Sequence, residues 1–294
     1  MTSMSYRKLA TLNKRSNNAM PNAKDFKRGN RFSLALFGNT GSGKTTLYLS
    51  HPGRKFAYLF DPNALNSLAG QDITYEEFLP DVLNLGIVVQ HGPWTPKVGT
   101  VKAKDKLTHP VPTAETYVNW EADFYKRIND GFFKEVDLLV FDSLTTFQSM
   151  VLDRIMDIQG KLGQSPETDD YIAVVNTVAN VFRTVTALNI DVIVTGHLDF
   201  VQDERSKQIF WQPVLTGKLR TRLPLLFSEV WATEAESVAD KTVRYTVQTR
   251  PDRTHQLVRS TWPNLEFKED VTVDFSKPLT DQGLHRLMKK GGLV

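Results

Sequence analysis

The feature that most constrains this chain is a glycine-rich segment that follows a short apolar run. Residues 38–45 read Gly-Asn-Thr-Gly-Ser-Gly-Lys-Thr, which matches the pattern G-x-x-x-x-G-K-[ST] at every fixed position. The apolar run 32–37 predicts a buried strand before the motif, and residues 44–50 predict a helix after it. A loop that joins a buried strand to a helix in this way is typical of an α/β fold in which backbone amides surround a phosphate group.

The residue types in this segment suit a triphosphate. Glycines allow successive N–H groups to point towards phosphate oxygens. We expect the Lys44 ammonium to reach the β- and γ-phosphates and the Thr45 hydroxyl to bind Mg²⁺. The expected cofactors are therefore ATP and Mg²⁺. The residues expected to bind the nucleotide are Gly38, Asn39, Thr40, Gly41, Ser42, Gly43, Lys44, Thr45 and Thr46.

A second acidic residue is expected on another buried strand. Residues 138–142 read Leu-Leu-Val-Phe-Asp, an apolar run that ends in a carboxylate. Beside a phosphate-binding loop, Asp142 is expected to hold Mg²⁺ through water and so to join Thr45 as a metal-binding residue. The alternative is that Asp142 is a strand-end or helix-capping residue without a metal.

The order of the predicted elements indicates an α/β chain. Apolar runs alternate with helical patterns and are followed by a β-rich stretch, which favours a mainly parallel sheet flanked by helices, with antiparallel strands near the C-terminus. We expect a basic flexible arm at 1–30, a core at 31–262 and a C-terminal extension with a short helix at 263–294. The strands beyond the two described above are predicted near 55–60, 86–90, 191–195, 228–233, 242–249 and 256–261.

Composition excludes several classes of chemistry. The chain of 294 residues contains no cysteine, which excludes disulfides, thiol nucleophiles and cysteine-based metal sites. No stretch approaches the roughly 18–20 apolar residues of a membrane-spanning helix, and we expect a cytoplasmic protein that does not contact a membrane. Residues 1–30 carry seven basic side chains against Asp25 alone. Such an arm can bind phosphate backbones or remain a solvated tail.

Several segments together resemble a known family. They are the phosphate loop, the acidic strand 138–142, Leu-Phe-Asp-Pro-Asn-Ala-Leu at 59–65, Ile-Val-Thr-Gly-His at 193–197, and the region 217–231. On these segments the chain resembles the RecA-core ATPases over about residues 31–262. More narrowly, it is similar to the small phage AAA-type ATP-binding proteins that include the Sak-type single-strand annealing proteins. The resemblance implies a RecA-like P-loop NTPase core.

The resemblance also raises a question about hydrolysis. RecA-core proteins place a glutamate two residues after an acidic strand end, where it activates water. The matching position here holds Asn63, and the position directly after the second acidic strand holds Ser143. Asp61 is the nearest substitute, although it can equally be a turn residue, and the remoter candidates are Glu76 and Glu77. We therefore expect slow or DNA-stimulated ATP hydrolysis.

Two further catalytic residues are implied by the resemblance. His197 lies just past a buried strand, where RecA-like proteins place a γ-phosphate sensor, although a lone histidine can be purely structural. The strand near 242–249 is followed by Arg250, at a position where related assemblies direct a cation to the neighbouring subunit's γ-phosphate. Arg250, or alternatively Arg253, is therefore expected to act as an arginine finger, unless it is an ordinary surface arginine.

The region after the sensor strand is expected to bind DNA. RecA-like proteins place DNA-binding loops there, and basic side chains can track phosphates while aromatic rings stack on unpaired bases. The aromatic candidates are Phe200, Phe210 and Trp211, although Phe210 and Trp211 can instead pack on the core as part of an ordinary hairpin. Lysines at 97–106 and the N-terminal arm can extend the basic surface. The residues expected to contact DNA are Arg205, Lys207, Lys218, Arg220 and Arg222.

These observations favour an ATP-binding, RecA-like protein that acts on single-stranded DNA in phage recombination or annealing. The expected partners are single-stranded DNA, further copies of the chain in a ring or filament, and a single-strand-binding protein. If the chain is phage-encoded, its location is the host cytoplasm. The alternatives are a DNA motor, such as a helicase or packaging ATPase, and a nucleotide-dependent switch or small-molecule kinase.

Overall fold

The structure is a computed structural model that describes residues 29–79, 114–162, 164–238 and 242–294. The predicted strand near 86–90, the lysines at 97–106 and residues 1–28 of the basic arm lie outside these ranges. The chain divides into two units, Met1–Asn30 and Arg31–Val294. The second unit contains all the elements described below.

Within the described ranges, the strands of this unit form one eight-stranded sheet and one two-stranded ribbon. The sheet has the order β10-β9-β8-β1-β5-β4-β2-β3, and the ribbon pairs β6 with β7. The strands are β1 (Ser33–Gly38), β2 (Lys55–Leu59), β3 (Thr74–Glu77), β4 (Leu138–Asp142), β5 (Asp191–Gly196), β6 (Leu198–Gln202), β7 (Ile209–Pro213), β8 (Glu229–Ser237), β9 (Val243–Gln248) and β10 (Lys268–Asp270).

Helices cover both faces of the sheet. The long helix α5 begins with a capping box in which Glu167 and Asp170 exchange side-chain-to-backbone hydrogen bonds. Helix α3 ends at Gly131, whose φ of 75° is the left-handed conformation that terminates helices. The helices are α1 (Lys44–Leu49), α2 (Ala64–Leu68), α3 (Glu115–Asp130), α4 (Leu144–Ile158), α5 (Thr168–Thr186), α6 (Leu219–Arg222) and α7 (Gly283–Lys290).

The parallel strands bring their carboxyl ends to one edge. β1 lies between β5 and β8 and is parallel to both, while β4 lies between β5 and β2. The register pairs Phe37 with Gly196 and Leu59 with Asp142, so the residues that end β1, β2, β4 and β5 are close to one another. This edge is where parallel α/β sheets bind ligands.

Two buried apolar clusters hold the layers together, one on each face of the sheet. On the face covered by α3, α4 and α5, the rings of Trp120, Phe141 and Phe147 meet edge to face, with centroids 4.7–6.1 Å apart. On the other face, α1 and α7 contribute Leu47 and Leu287 to the second cluster. Because both faces are covered, β4 and β5 are buried at every position.

The C-terminal strands confirm the expected antiparallel additions. β9 is antiparallel to β8, and β10 is antiparallel to β9. The expected strand near 256–261 is wrong, because only an isolated bridge joins Val230 to Arg259 there. β9 already occupies the edge of β8 from Ala232 to Ser237, so little of that edge is left for another strand.

The prediction of an α/β fold with a mainly parallel sheet, flanking helices and antiparallel C-terminal strands is confirmed. The segment after residue 262 supplies β10 and α7 and belongs to the same compact unit. Within the described ranges, no helix has the length and apolar character needed to cross a membrane.

Candidate nucleotide-binding site

The glycine-rich loop joins the end of β1 to the start of α1. Gly41 and Gly43 adopt φ values of 75° and 86°, which side-chain-bearing residues rarely adopt. A Cβ on Gly38 would overlap the Thr233 hydroxyl oxygen on β8, so only glycine fits there. The crest of the loop, at Asn39, Thr40 and Gly41, is exposed. The backbone is therefore shaped as a phosphate-binding loop requires.

Lys44 is buried beneath this loop. Its ammonium group donates hydrogen bonds to the carbonyl oxygens of Gly38, at 2.9 Å, and Asn39, at 2.8 Å. Burial lowers the pKa of the Lys44 ammonium, while the nearby carboxylates of Asp142 and Asp61 act in the opposite direction. The cation is thus held under the loop, beside the two acidic residues that end neighbouring strands.

Both carboxylate oxygens of Asp142 accept hydrogen bonds from hydroxyl groups. Thr195 Oγ1 donates to Oδ1 at 2.5 Å, and the Tyr48 hydroxyl donates to Oδ2 at 2.9 Å. Burial raises the pKa of the Asp142 carboxyl, and the two hydroxyl donors oppose that shift. These donors hold the carboxylate in one orientation at the end of β4.

The residues fit the magnesium ion that this class of site uses. Mg²⁺ prefers oxygen ligands and usually takes one or two protein carboxylates together with phosphates and water. In the described ranges, no group of three or more His, Asp or Glu side chains could hold a metal. The Thr45 hydroxyl and the Asp142 carboxylate supply the matching oxygens. When bound, the ion would neutralise charge on the phosphate oxygens.

Asp61 follows β2 at the same edge of the sheet. The Thr146 hydroxyl, in the first turn of α4, donates a hydrogen bond to Asp61 Oδ1. Burial lowers the pKa of Lys44 and raises that of Asp142, and the nearby Asp61 carboxylate opposes the first shift and adds to the second. The structure therefore brings the expected substitute for the glutamate next to Lys44 and Asp142.

His197 joins the same group from the end of β5. Its backbone N–H donates to Thr145 Oγ1 at 3.3 Å, and its ring lies close to the Gly38 backbone. Burial and the nearby Lys44 ammonium lower the pKa of the His197 imidazole, so the neutral ring is favoured. A neutral imidazole beside the phosphate loop can donate a hydrogen bond without adding charge.

The two positions without glutamate have other roles. Asn63 adopts a left-handed conformation, with φ of 65°, immediately before α2, and its side chain is exposed. Ser143 is buried, and its hydroxyl has no hydrogen-bond partner within the described part of the chain. Of the remoter candidates, Glu76 pairs with Arg127 at 3.0 Å, and Glu77 is level with Leu59 on the edge strand β3.

Arg250 lies away from this group. The register pairs Gln248 with Ala232, and β9 runs antiparallel to β8, so the chain leaves the phosphate-loop edge before it reaches Arg250. The guanidinium donates to the carbonyl oxygens of Ser260, at 2.7 Å, and Trp262, at 3.2 Å. These contacts give the side chain a structural role within its own chain. Its action as an arginine finger on a neighbouring copy stays a prediction.

The stretch expected to bind DNA begins with the ribbon of β6 and β7, which starts one residue after His197. Arg205 and Lys207 are exposed in its turn, where Asp203 accepts hydrogen bonds from the backbone N–H groups of Arg205 and Ser206. Lys207 has a φ of 58°. The turn therefore presents two cations to solvent on a fixed backbone.

The aromatic residues of the ribbon differ in exposure. Phe200 is 60% exposed, and its ring contacts that of Trp211 across the strand pair, with centroids 3.4 Å apart. Trp211 is half-buried and stacks on His255. Phe200 is thus the more accessible ring, and Trp211 packs within the protein, in agreement with the hairpin alternative.

The segment after the ribbon carries the other three basic candidates. Lys218 and Arg222 are exposed at helix α6. Arg220 is half-buried, and its guanidinium donates to the Leu215 carbonyl oxygen at 2.6 Å and to Gln212 Oε1 at 3.3 Å. Arg220 is therefore already engaged by its own chain, whereas Lys218 and Arg222 can reach a ligand.

Sequence reasoning did not identify the hydroxyl-bearing residues that orient the charged groups. Thr145 and Thr146 contact His197 and Asp61 from the first turn of α4, and Thr195 contacts Asp142 from β5. Tyr48 carried one usable signal: it lies three positions after Thr45, a spacing that places both side chains on one face of α1.

Between the loop crest, the ribbon and β8 lies a cavity of about 370 Å³. The crest contributes Asn39 and Thr40, the ribbon contributes Trp211, and β8 contributes Glu234 and Glu236. The Lys268 ammonium forms ion pairs with both glutamate carboxylates, at 2.5 Å from Glu234 and 2.6 Å from Glu236. The ribbon and the phosphate-binding loop therefore face each other across this cavity.

Together the fold and this site define a nucleotide-binding P-loop NTPase. A sequence profile described as AAA domain matches residues 30–256, which is most of the chain. The chain therefore belongs to this AAA domain family.

Comparison with individual proteins gives less information about the chain than the family profile does. None of the curated proteins compared with the chain matches it. Among solved structures, the chain is similar to the crystal structure of flagellar accessory protein FlaH from Methanocaldococcus jannaschii. The two are 11% identical, the match covers 83% of this chain and 85% of that one, and the TM-score is 0.37.

Proposed function

We propose that this protein is a Mg²⁺-dependent ATPase that acts on single-stranded DNA in phage recombination or annealing. The observation that carries the nucleotide part is the convergence of Lys44, Asp142, Asp61 and His197 at the carboxyl ends of four neighbouring strands. A cation, a metal-binding carboxylate, a candidate water-activating carboxylate and a neutral imidazole are the groups that phosphoryl transfer to water requires.

The residues have distinct roles in this proposal. Lys44 binds the β- and γ-phosphates, and Thr45 and Asp142 hold Mg²⁺. Asp61 accepts a hydrogen bond from Thr146 and can orient or deprotonate the attacking water. Because the two usual glutamate positions hold Asn63 and Ser143, slow hydrolysis is expected in the absence of DNA. His197 responds to the γ-phosphate and leads directly into the ribbon.

The DNA part rests on the ribbon and on helix α6, which come after His197 in the chain. The ribbon presents Arg205 and Lys207 in its turn and Phe200 on its surface, and α6 presents Lys218 and Arg222. The Val214 backbone N–H donates to the His197 carbonyl oxygen at 2.9 Å, so both ends of the ribbon meet at the candidate sensor. Cations with an exposed aromatic ring suit a single strand without sequence readout.

The first experiment tests nucleotide binding. The Lys44→Ala variant removes the buried ammonium, and the affinity for a fluorescent ATP analogue is expected to fall by more than about tenfold, since hydrogen bonds to charged groups contribute about 1.5–3 kcal/mol. The matched control is Lys55→Ala, because the Lys55 ammonium also donates to two carbonyl oxygens, those of His51 and Gly53, at the other end of the sheet. Unchanged binding by Lys44→Ala would overturn the proposed function.

The second experiment tests whether the protein binds DNA and whether ATP changes that binding. Binding to a labelled oligo-thymidine strand is measured with and without ATP, across a range of salt concentrations. Lys218→Ala and Arg222→Ala are expected to weaken binding and to reduce the salt slope by about 0.7 for each lost phosphate contact. The control is Lys277→Ala, which removes an exposed lysine after β10.

Other outcomes would redirect the assignment. Loss of DNA binding under every nucleotide condition would remove the recombination role and leave the nucleotide site intact. Directional unwinding or translocation would indicate a motor. Rapid turnover without DNA, with transfer of phosphate to a small acceptor, would indicate a kinase.

A further inference from the structure

Tyr48 is a buried tyrosine whose hydroxyl lies inside the nucleotide site. The residue is fully buried in α1, three positions after Thr45. Its hydroxyl donates to Asp142 Oδ2 at 2.9 Å, and the Thr45 side chain lies close to the same hydroxyl. The phenol oxygen therefore contacts one of the two residues that are expected to hold Mg²⁺ and lies close to the other.

The remaining carboxylate oxygen is also occupied. Asp142 Oδ1 accepts the Thr195 hydroxyl, which is itself fully buried in β5. The Asp142 carboxylate is thus fixed from both sides, by a tyrosine on the helix after the phosphate loop and by a threonine on the neighbouring strand. Neither hydroxyl belongs to the sequence motif that identified the site.

We infer that Tyr48 is a positioning residue for the magnesium site, which sets the Thr45 hydroxyl and the Asp142 carboxylate at the spacing that the ion requires. This inference rests on the proposed Mg²⁺-dependent nucleotide binding. Mg²⁺ demands nearly ideal octahedral geometry, so the cost of a misplaced ligand is high. Hydrogen-bond partners of metal ligands typically affect metal affinity by about 10–100-fold.

The Tyr48 hydroxyl can be removed without removing the ring. A phenylalanine would keep the ring that packs in the apolar cluster around α1 and lose only the hydroxyl.

The test is the Mg²⁺ dependence of nucleotide binding. A fluorescent ATP analogue is titrated against the full chain in chelator, and Mg²⁺ is then added stepwise. For Tyr48→Phe, the Mg²⁺ concentration at half-maximal effect is expected to rise by about tenfold or more, while the affinity in chelator is unchanged. Thr195→Val is expected to act in the same direction, and Thr195→Ser to restore the native response.

A matched control is available on strand β2. Tyr58 is equally buried, and its hydroxyl also donates to a carboxylate, Asp123 Oδ2, at 2.8 Å. Asp123 pairs with Arg127 and is not part of the nucleotide site. Tyr58→Phe is therefore expected to leave the Mg²⁺ response unchanged, although it removes a buried hydroxyl of the same kind.

The outcomes separate this inference from the proposed function. If Mg²⁺ changes the nucleotide affinity of the native protein and of Tyr48→Phe identically, only the proposed role of Tyr48 is overturned. An equal shift in Tyr48→Phe and Tyr58→Phe would also overturn it, because the effect would then be one of general packing. If the nucleotide affinity of the native protein does not depend on Mg²⁺, both the role of Tyr48 and the proposed metal dependence are overturned.

Discussion

At the scale of single residues, neutral hydroxyl groups hold the charged residues of the nucleotide site. Thr195 and Tyr48 donate to Asp142, and Thr146 donates to Asp61. A hydroxyl can satisfy a buried carboxylate without adding a charge that would repel a metal ion. The site therefore keeps its negative charge for the cation while its geometry is fixed by uncharged partners.

Arg250 provides a prediction at the same scale. Because its guanidinium donates to two backbone carbonyl oxygens, Arg250→Ala is expected to lower the free energy of unfolding by about 1–3 kcal/mol. Chemical denaturation measures this change, and the exposed Arg253, altered to alanine, is the control. If Arg250 is an arginine finger, Arg250→Ala would retain its stability and lose ATP turnover. Mixing Arg250→Ala with a Lys44→Ala protein would then restore activity.

At the scale of elements, helix α4 connects the two halves of the site. Its first turn contacts Asp61 and His197 through Thr146 and Thr145. Gln148, in the next turn, donates to the Val214 carbonyl oxygen at 3.1 Å and accepts the Thr216 backbone N–H at 2.9 Å. The helix therefore joins the nucleotide edge directly to the segment that leads to α6.

Gln148 yields a prediction for this connection. Gln148→Ala removes both hydrogen bonds to the segment, so nucleotide affinity is expected to stay within about twofold while the effect of ATP on oligo-thymidine binding shrinks. Hydrogen exchange over residues 198–222, with and without nucleotide, measures the same connection. Ser149→Ala is the control, because the Ser149 hydroxyl donates to the Thr145 carbonyl oxygen of its own helix. If ATP changes DNA affinity equally in the native protein and Gln148→Ala, α4 does not carry the coupling through this residue.

The elements also show what sequence patterns can predict. β1 and β4 were predictable because buried parallel strands are continuous apolar runs, and the glycine motif fixes the loop between β1 and α1. β3 was not predicted, since Thr74–Glu77 is a short polar strand at the edge of the sheet. The contacts of Thr145 and Thr146 were beyond prediction, because they depend on which strand ends meet in space.

Arg250 marks the other limit of the sequence reasoning. A strand followed by an arginine was recognised, and the antiparallel direction of the C-terminal strands was expected. The pattern did not reveal which end of the sheet that arginine would reach, because direction and register relative to β1 depend on pairing with β8. Residues that act through a local motif were therefore easier to predict than residues placed by long-range pairing.

At the scale of the whole molecule, the last part of the chain supports the first. α7 packs against α1, and the Leu284 backbone N–H donates to Ser50 Oγ at 2.8 Å. Gly283, at the start of α7, has a φ of 48°, and a Cβ there would overlap Ser50 Oγ. The helix that carries Lys44 and Thr45 is thus held in place by residues more than 230 positions away.

Gly283 allows this support to be tested. Gly283→Ala combines an unfavourable φ with a steric clash, and we expect it to lower the free energy of unfolding by about 2–4 kcal/mol in chemical denaturation. Gly292→Ala is the control: φ there is 73°, and a Cβ would meet no atom of the described chain within 4 Å. Its cost is expected to be about 1–2 kcal/mol, from the left-handed backbone alone. If the two variants lose the same stability, the close contact with Ser50 contributes nothing.

The ribbon of β6 and β7 has a consequence that extends beyond this one sequence. The Val214 backbone N–H donates to the His197 carbonyl oxygen, so the ribbon leaves the end of β5 and returns to it. Residues added or removed in the turn at 203–208 would change its reach without moving the strands that carry the phosphate chemistry. The length of this ribbon can therefore differ among relatives. Its turn is a site where a protein engineer can insert a reporter or a new binding peptide.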